Sequence, residues 1–209
     1  MRIAKEGLRF ILPAAGLAVL FGALGLAWLA GLAFLLACAF TFFFRDPERV
    51  PPPGERLVVA PADGEVLGLE TLASHPSFPG PVSRLTVFLS LYDVHVVRAP
   101  LAATVASVDR KPGLFLPAYR PEAGERNEST TLALKAAGAD IVMKMSVGVA
   151  ARRIKSFVRP GDAVARGSRV GLMFFGSRVE LTFPPNVVLN VGLHDKVKAG
   201  QTVIGEVQP

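Results

Sequence analysis

The sequence predicts a mainly β protein, with an N-terminal membrane-associated helical hairpin over residues 1–49 and a β-rich domain over residues 50–209. Three observations carry that prediction. Residues 10–44 run for 35 positions without a charged side chain. Beyond residue 50 the chain breaks into short Val-, Leu- and Ile-rich runs separated by Gly, Pro and Asp, which is the pattern of strands and turns. Within that region a weak repeat recurs at an offset of 33 residues.

As one helix the apolar tract would extend about 52 Å, against a hydrocarbon core of about 30 Å. Two short spans that turn within residues 22–31 fit better. Arg2, Lys5 and Arg9 precede the tract, and Arg45 and Arg49 follow it. Positive residues on both flanks place both ends on the cytoplasmic side of the cell membrane, and with them the β domain. Cys38, the only cysteine, lies in this tract and reads as a small buried apolar residue. A single cysteine excludes an internal disulfide and a thiolate zinc site.

Arg45-Asp46-Pro47 stops the helical run, and Pro51-Pro52-Pro53-Gly54 forms a stiff linker. The net charge is +6. Residues 1–50 carry five Lys/Arg against three Asp/Glu, residues 51–176 fifteen against eleven, and residues 177–209 three against three. A charge excess spread in this way argues against nucleic acid as a partner and suits an anionic membrane surface or substrate.

Strands are expected at 57–60 and 65–69, around a turn at Ala62-Asp63-Gly64. A long strand is expected over 85–97, and residues 111–128 read as a loop. A hairpin is expected from 130–135 and 141–147 through Gly138-Ala139-Asp140. The repeat follows: Gly161-Asp162-Ala163-Val164 continues to Gly167 and Gly171, and Asp195-Lys196-Val197 continues to Gly200 and Gly205. This rhythm resembles the flattened barrel-sandwich domains of the lipoyl and hybrid-motif type, a likeness of fold alone.

The residues able to do chemistry are few. Phe174-Phe175-Gly176-Ser177-Arg178 lies between two apolar runs. Glycine permits strained backbone there, and a hydroxyl sits beside that peptide. A β-bulge with a buried serine is the plain structural alternative. Of the three histidines, His75 and His194 fall in turns and read as exposed. His95 follows Asp93 by two positions; in a regular strand the two share a face, so the carboxylate could orient the imidazole. Asp63 is a turn residue that could also hold a histidine. A Ser, a His and an Asp can make a nucleophile, base and orienter.

Six stretches then acquire joint meaning. They are Phe44-Arg45-Asp46-Pro47; Pro61-Ala62-Asp63-Gly64-Glu65-Val66; Phe88-Leu89-Ser90 with Asp93-Val94-His95-Val96 and Arg98-Ala99-Pro100; Gly124-Glu125-Arg126-Asn127; Ala151-Arg152-Arg153-Ile154; and Phe175-Gly176-Ser177-Arg178-Val179-Glu180. In this order, and covering nearly the whole chain, they resemble the phosphatidylserine decarboxylases of the short bacterial and archaeal type. The resemblance implies a zymogen that cuts itself between Gly176 and Ser177. It implies a large chain 1–176 and a small chain 177–209 that stay associated as a heterodimer.

The resemblance further implies that Ser177 becomes a covalent pyruvoyl cofactor, with no metal. Its carbonyl would condense with the amine of a serine-headed phospholipid, and loss of CO2 would leave an ethanolamine head group. His95 is implied as base and proton donor and Asp63 as orienter. Longer family members carry a second histidine where this chain has Arg98, so either His95 serves both self-cleavage and turnover or self-cleavage is done differently here. Arg98 would serve otherwise, for example on the anionic head group, for which Arg178, Arg152 and Arg153 are further candidates. Two other readings remain: an inert membrane-tethered β binding domain, and a biotinyl- or lipoyl-like carrier using Lys144 in Met143-Lys144-Met145.

Overall fold

The computed structural model describes residues 2–149, 153–174 and 177–209. It divides into two compact units, Met1–Glu48 and Arg49–Pro209.

In the first unit, β1 (Arg2–Ile3) pairs antiparallel with β2 (Arg45–Asp46), and between them run α1 (Leu8–Ala23) and α2 (Ala27–Phe43). The turn is centred on Gly25, whose φ of 73° lies in the left-handed region that glycine enters without steric cost. Phe10 stacks on Phe44 at 5.4 Å and packs on Phe40, which fastens the open end of the hairpin. Val19, Trp28, Leu32, Phe34 and Leu35 point outward and are exposed, an apolar surface that water does not stabilise. Lys5–Ala23 is long and apolar enough to cross a membrane; Ala27–Phe43 is apolar but shorter. Cys38 is exposed on this hairpin rather than buried, because it falls on the outer side of α2 while Ala33 and Ala37 face inward.

The second unit is mainly β. Its strands are β3 (Leu57–Val59), β4 (Gly64–Leu72), β5 (Val82–Leu89), β6 (Val96–Arg98), β7 (Ala103–Lys111), β8 (Ser129–Lys135), β9 (Ile141–Val147), β10 (Ile154–Ser156), β11 (Ala163–Val164), β12 (Arg169–Met173), β13 (Ser177–Phe183), β14 (Val187–Leu189), β15 (Lys196–Val197) and β16 (Val203–Val207), with one short helix, α3 (Ala123–Arg126). Eight of them form a curled antiparallel sheet in the order β11-β7-β8-β9-β13-β5-β4-β15. Two three-stranded sheets, β10-β12-β6 and β14-β16-β3, complete the unit.

The repeat has a structural meaning. Its two copies open with the two-residue strands β11 and β15, which sit on the two opposite edges of the large sheet. They continue into β12 and β16, the centre strands of the two small sheets. Each copy therefore covers an edge that would otherwise expose unpaired backbone groups.

Residues alternate across β13. Val179, Leu181 and Phe183 enter the core with Leu85, Val87, Met143, Met145 and Leu132, all fully buried. Arg178, Glu180 and Thr182 face the other side. The expected hairpin is present, with Leu134 opposite Ile141. The expected single strand over 85–97 is not. β5 stops at Leu89 and β6 begins at Val96, because Asp93 folds the intervening turn: its carboxylate accepts the backbone N–H of Ser90 at 2.8 Å and its hydroxyl at 2.6 Å.

Candidate functional site

Ser177 opens β13, the strand paired on both sides within the large sheet: Ser177 lies opposite Leu89 of β5 and Val147 of β9. The side chain is fully buried, and its Oγ has no hydrogen-bond partner among the described residues. An unsatisfied buried hydroxyl costs about 1–3 kcal/mol, which is why such groups are rare and concentrate where chemistry needs them. The neighbouring Gly176 and Phe175 of the predicted scission motif lie outside the described residues, as does Arg152.

The ends of four strands meet at this serine. Glu65 faces Phe88, Phe88 faces Arg178, and Arg178 faces Ser146, so Asp63, Ser90 and Ser177 gather at one end of the sheet. The approach of β4 to β5 depends on Gly64: a Cβ there would lie 2.0 Å from the Phe88 carbonyl oxygen, and its φ is 151°. His95 reaches the same end from the small sheet. Its carbonyl oxygen accepts the Met173 N–H at 3.0 Å, so the end of β12 runs past it.

His95 is fully buried. Its Nδ1 lies 2.9 Å from the backbone carbonyl of Asp93, not from the Asp93 carboxylate, which is committed to Ser90. The same-face pairing expected from a regular strand fails because His95 sits beyond a turn. A carbonyl can only accept, so Nδ1 carries the proton, and in the neutral ring Nε2 holds the lone pair. That tautomer is the one a base acting through Nε2 requires.

Asp63 is buried and its carboxylate is fully engaged. One oxygen pairs with Arg49 at 2.8 Å, and the other accepts the Ala199 N–H at 2.8 Å. Among the described residues its carboxylate bonds to these two groups and not to His95. The expected direct Asp63–His95 contact is therefore absent, and Asp63 instead ties the start of β4 to the loop before β16.

The two arginines expected at the head group are both buried. Arg98 donates to the Gly167 carbonyl at 2.8 Å, and its stem lies under Gly200. Arg178 pairs with Glu180 at 2.6 Å and donates to the Arg120 carbonyl, on the sheet face opposite Ser177. Arg153 is exposed. Lys144 stands mid-strand in β9 between Thr131 and Glu180, half-buried, with its Nζ on the Gly124 carbonyl. A carrier lysine must project from a turn, so this placement opposes the carrier reading.

Asn127 is a residue of the site to which the sequence assigns no role. It is fully buried; its Oδ1 accepts the Leu116 N–H, and its Nδ2 donates to the carbonyls of Leu116 and Val147. It thus clamps the loop before α3 to the residue paired with Ser177. Gly124 permits the close approach, since a Cβ there would lie 2.8 Å from Glu180 Oε1. Asn127→Ala removes three buried hydrogen bonds and strands their partners, so a loss of about 3 kcal/mol is expected in chemical denaturation.

Comparison with known proteins identifies the family. The family model described as phosphatidylserine decarboxylase matches residues 36–205. The phosphatidylserine decarboxylase proenzyme of Syntrophus aciditrophicus is 39% identical over 207 residues, covering 97% of this chain and 96% of that protein. The proenzyme of Salinibacter ruber is 41% identical over 180 residues, covering 85% and 77%. That of Mycobacterium tuberculosis is 38% identical over 197 residues, covering 92% and 85%. With the family model spanning most of its length and such relatives matching it nearly end to end, the chain belongs to the phosphatidylserine decarboxylase family of carboxy-lyases.

Proposed function

We propose that this chain is a self-cleaving, pyruvoyl-dependent decarboxylase that converts a serine-headed phospholipid to its ethanolamine counterpart at the cytoplasmic face of the cell membrane. The observation that carries the reading is the buried hydroxyl of Ser177, without a hydrogen-bond partner among the described residues, at the end of a central strand.

Ser177 Oγ attacks the carbonyl carbon of Gly176 as its proton passes to a base, and the peptide C–N bond breaks to give an ester. Loss of the Ser177 α-proton then breaks the Cβ–Oγ bond. The large chain leaves with a Gly176 carboxylate, and residue 177 becomes dehydroalanine. Water adds to the imine tautomer, ammonia departs, and a pyruvoyl group caps Arg178. His95 Nε2 is the assigned base, held in the required tautomer by the Asp93 carbonyl. Asp63 acts as a positioning residue through Arg49 and Ala199.

The pyruvoyl group supplies an electron sink for decarboxylation of an amine-bearing substrate. His95, which is buried, returns a proton to the substrate carbon. The small chain carries β13, β14, β15 and β16; of these β13 pairs with β5 and β9, β15 with β4, and β16 with β3 of the large chain. Those ladders hold the two products together after scission. The exposed apolar hairpin and its flanking cations support the membrane placement.

The test is CO2 release from carboxyl-labelled phosphatidylserine in detergent micelles or vesicles. Release of one CO2 per ethanolamine lipid formed is expected. A purified protein that takes no serine phospholipid to product contradicts the reading.

A further inference from the structure

The sheet face opposite Ser177 carries a second feature with its own chemistry. A cavity of about 390 Å³ opens there, lined by Arg84, Lys111, Lys144, Thr131 and Thr182 among others. The register explains why they converge. Thr131, Lys144 and Glu180 stand in one row across β8, β9 and β13, and Thr182 faces Arg84 across β13 and β5.

The charges do not cancel within it. Arg84 is offset by Glu70, and Glu180 by Arg178. Lys111 and Lys144 then face a single further lining carboxylate, Asp109, while Arg110 pairs with Thr130 and turns its guanidinium to the other face of the sheet, onto the Ile154 carbonyl. Among the described residues neither lysine has a carboxylate hydrogen-bond partner; their hydrogen bonds go to the carbonyls of Glu125 and Gly124. Burial pulls the Lys144 ammonium below its usual range, with Lys111 and Arg178 acting in the same direction and the charges of Glu180 and Glu125 opposing it, so a partly desolvated cation lines the cleft.

His75 completes the wall. Its Nδ1 accepts the Ser77 N–H at 3.1 Å, and burial followed by the charges of Arg84 and Lys144 lowers its pKa, which favours a neutral ring donating from Nε2. Ammonium, guanidinium, imidazole N–H and threonine hydroxyls around one pocket form a donor set for an oxyanion with several acceptor oxygens.

We propose that this cleft binds a phosphate group carried on a small polar molecule or a lipid head group, at a site separate from Ser177. Glu180 and Lys144 belong to β13 and β9, the strands that end at Ser177 and Val147, so the occupant sits on the back of the strands that build the catalytic end.

Equilibrium dialysis of the full-length protein in neutral detergent tests this with labelled orthophosphate and glycerol 3-phosphate. Flotation on phosphatidylcholine vesicles with and without phosphatidylglycerol forms the second arm. Saturable binding of one phosphate per chain is expected, weakened about tenfold in Lys144→Met and several-fold in Lys111→Gln, which is exposed and keeps the fold. Arg56→Gln, outside the cleft, should leave it unchanged. Soluble binding identifies a free phosphate compound. A variant-sensitive difference seen only on phosphatidylglycerol vesicles identifies a head group. Equal loss in Arg56→Gln, or no difference between wild type and both lysine variants in either arm, overturns the proposal.

Discussion

Ser177→Ala yields an intact, inactive chain of all 209 residues. The expectation is all-or-none, because the hydroxyl is both the nucleophile for scission and the source of the ketone. The residues paired with it, Leu89 and Val147, offer no side-chain nucleophile. The same variant should unfold no earlier than wild-type precursor, and up to about 1–3 kcal/mol later, since it removes a buried oxygen without a hydrogen-bond partner among the described residues. Denaturing electrophoresis, CO2 release and a denaturant titration read the three outcomes. A serine that served only to support the fold would give the reverse, with normal processing and lowered stability.

His95→Gln carries the second large effect. Glutamine keeps a polar side chain of similar reach but cannot take or return a proton at neutral pH. General acid–base catalysis is worth about 10²–10⁴-fold, so kcat for lipid decarboxylation should fall by at least about 100-fold. In the proposed mechanism His95 is both the base for scission and the proton donor for turnover, while Arg98 is buried on the Gly167 carbonyl. Scission of the precursor should therefore slow along with turnover. Time courses of processing and of CO2 release separate the two. Full activity with normal processing would remove His95 from the chemistry; slowed turnover with unaltered scission would confine it to the lipid reaction.

Much of this architecture is legible in the residues. The uncharged tract and its flanking arginines give the hairpin, and the Asp-x-Val-x-x-Gly rhythm gives the two edge-covering units. Local chemistry hid the break between β5 and β6. Leu85 to Val97 reads as one β run, and only the side-chain bonds of Asp93 to Ser90 reveal a turn inside it. That turn carries His95 out of the strand and gives its Nδ1 a backbone carbonyl as partner.

Non-local contacts hid the rest. Asp63 meets Ala199 across 136 residues of chain, so no spacing rule could find its partner. Asn127 lies in a stretch that reads as loop, and its importance arises only from Val147, 20 residues on, being the neighbour of Ser177. His75, expected to be exposed, is half-buried because its turn folds back over the outer face of the sheet.

The central claim is most directly tested by intact-mass spectrometry of the purified protein under denaturing conditions, before and after borohydride. The account predicts two polypeptides, one ending at Gly176 and one comprising residues 178–209 capped by a pyruvoyl group, with only the smaller gaining two hydrogens on reduction. A lipid-decarboxylating preparation that contains one uncut chain, unchanged by borohydride, would contradict it.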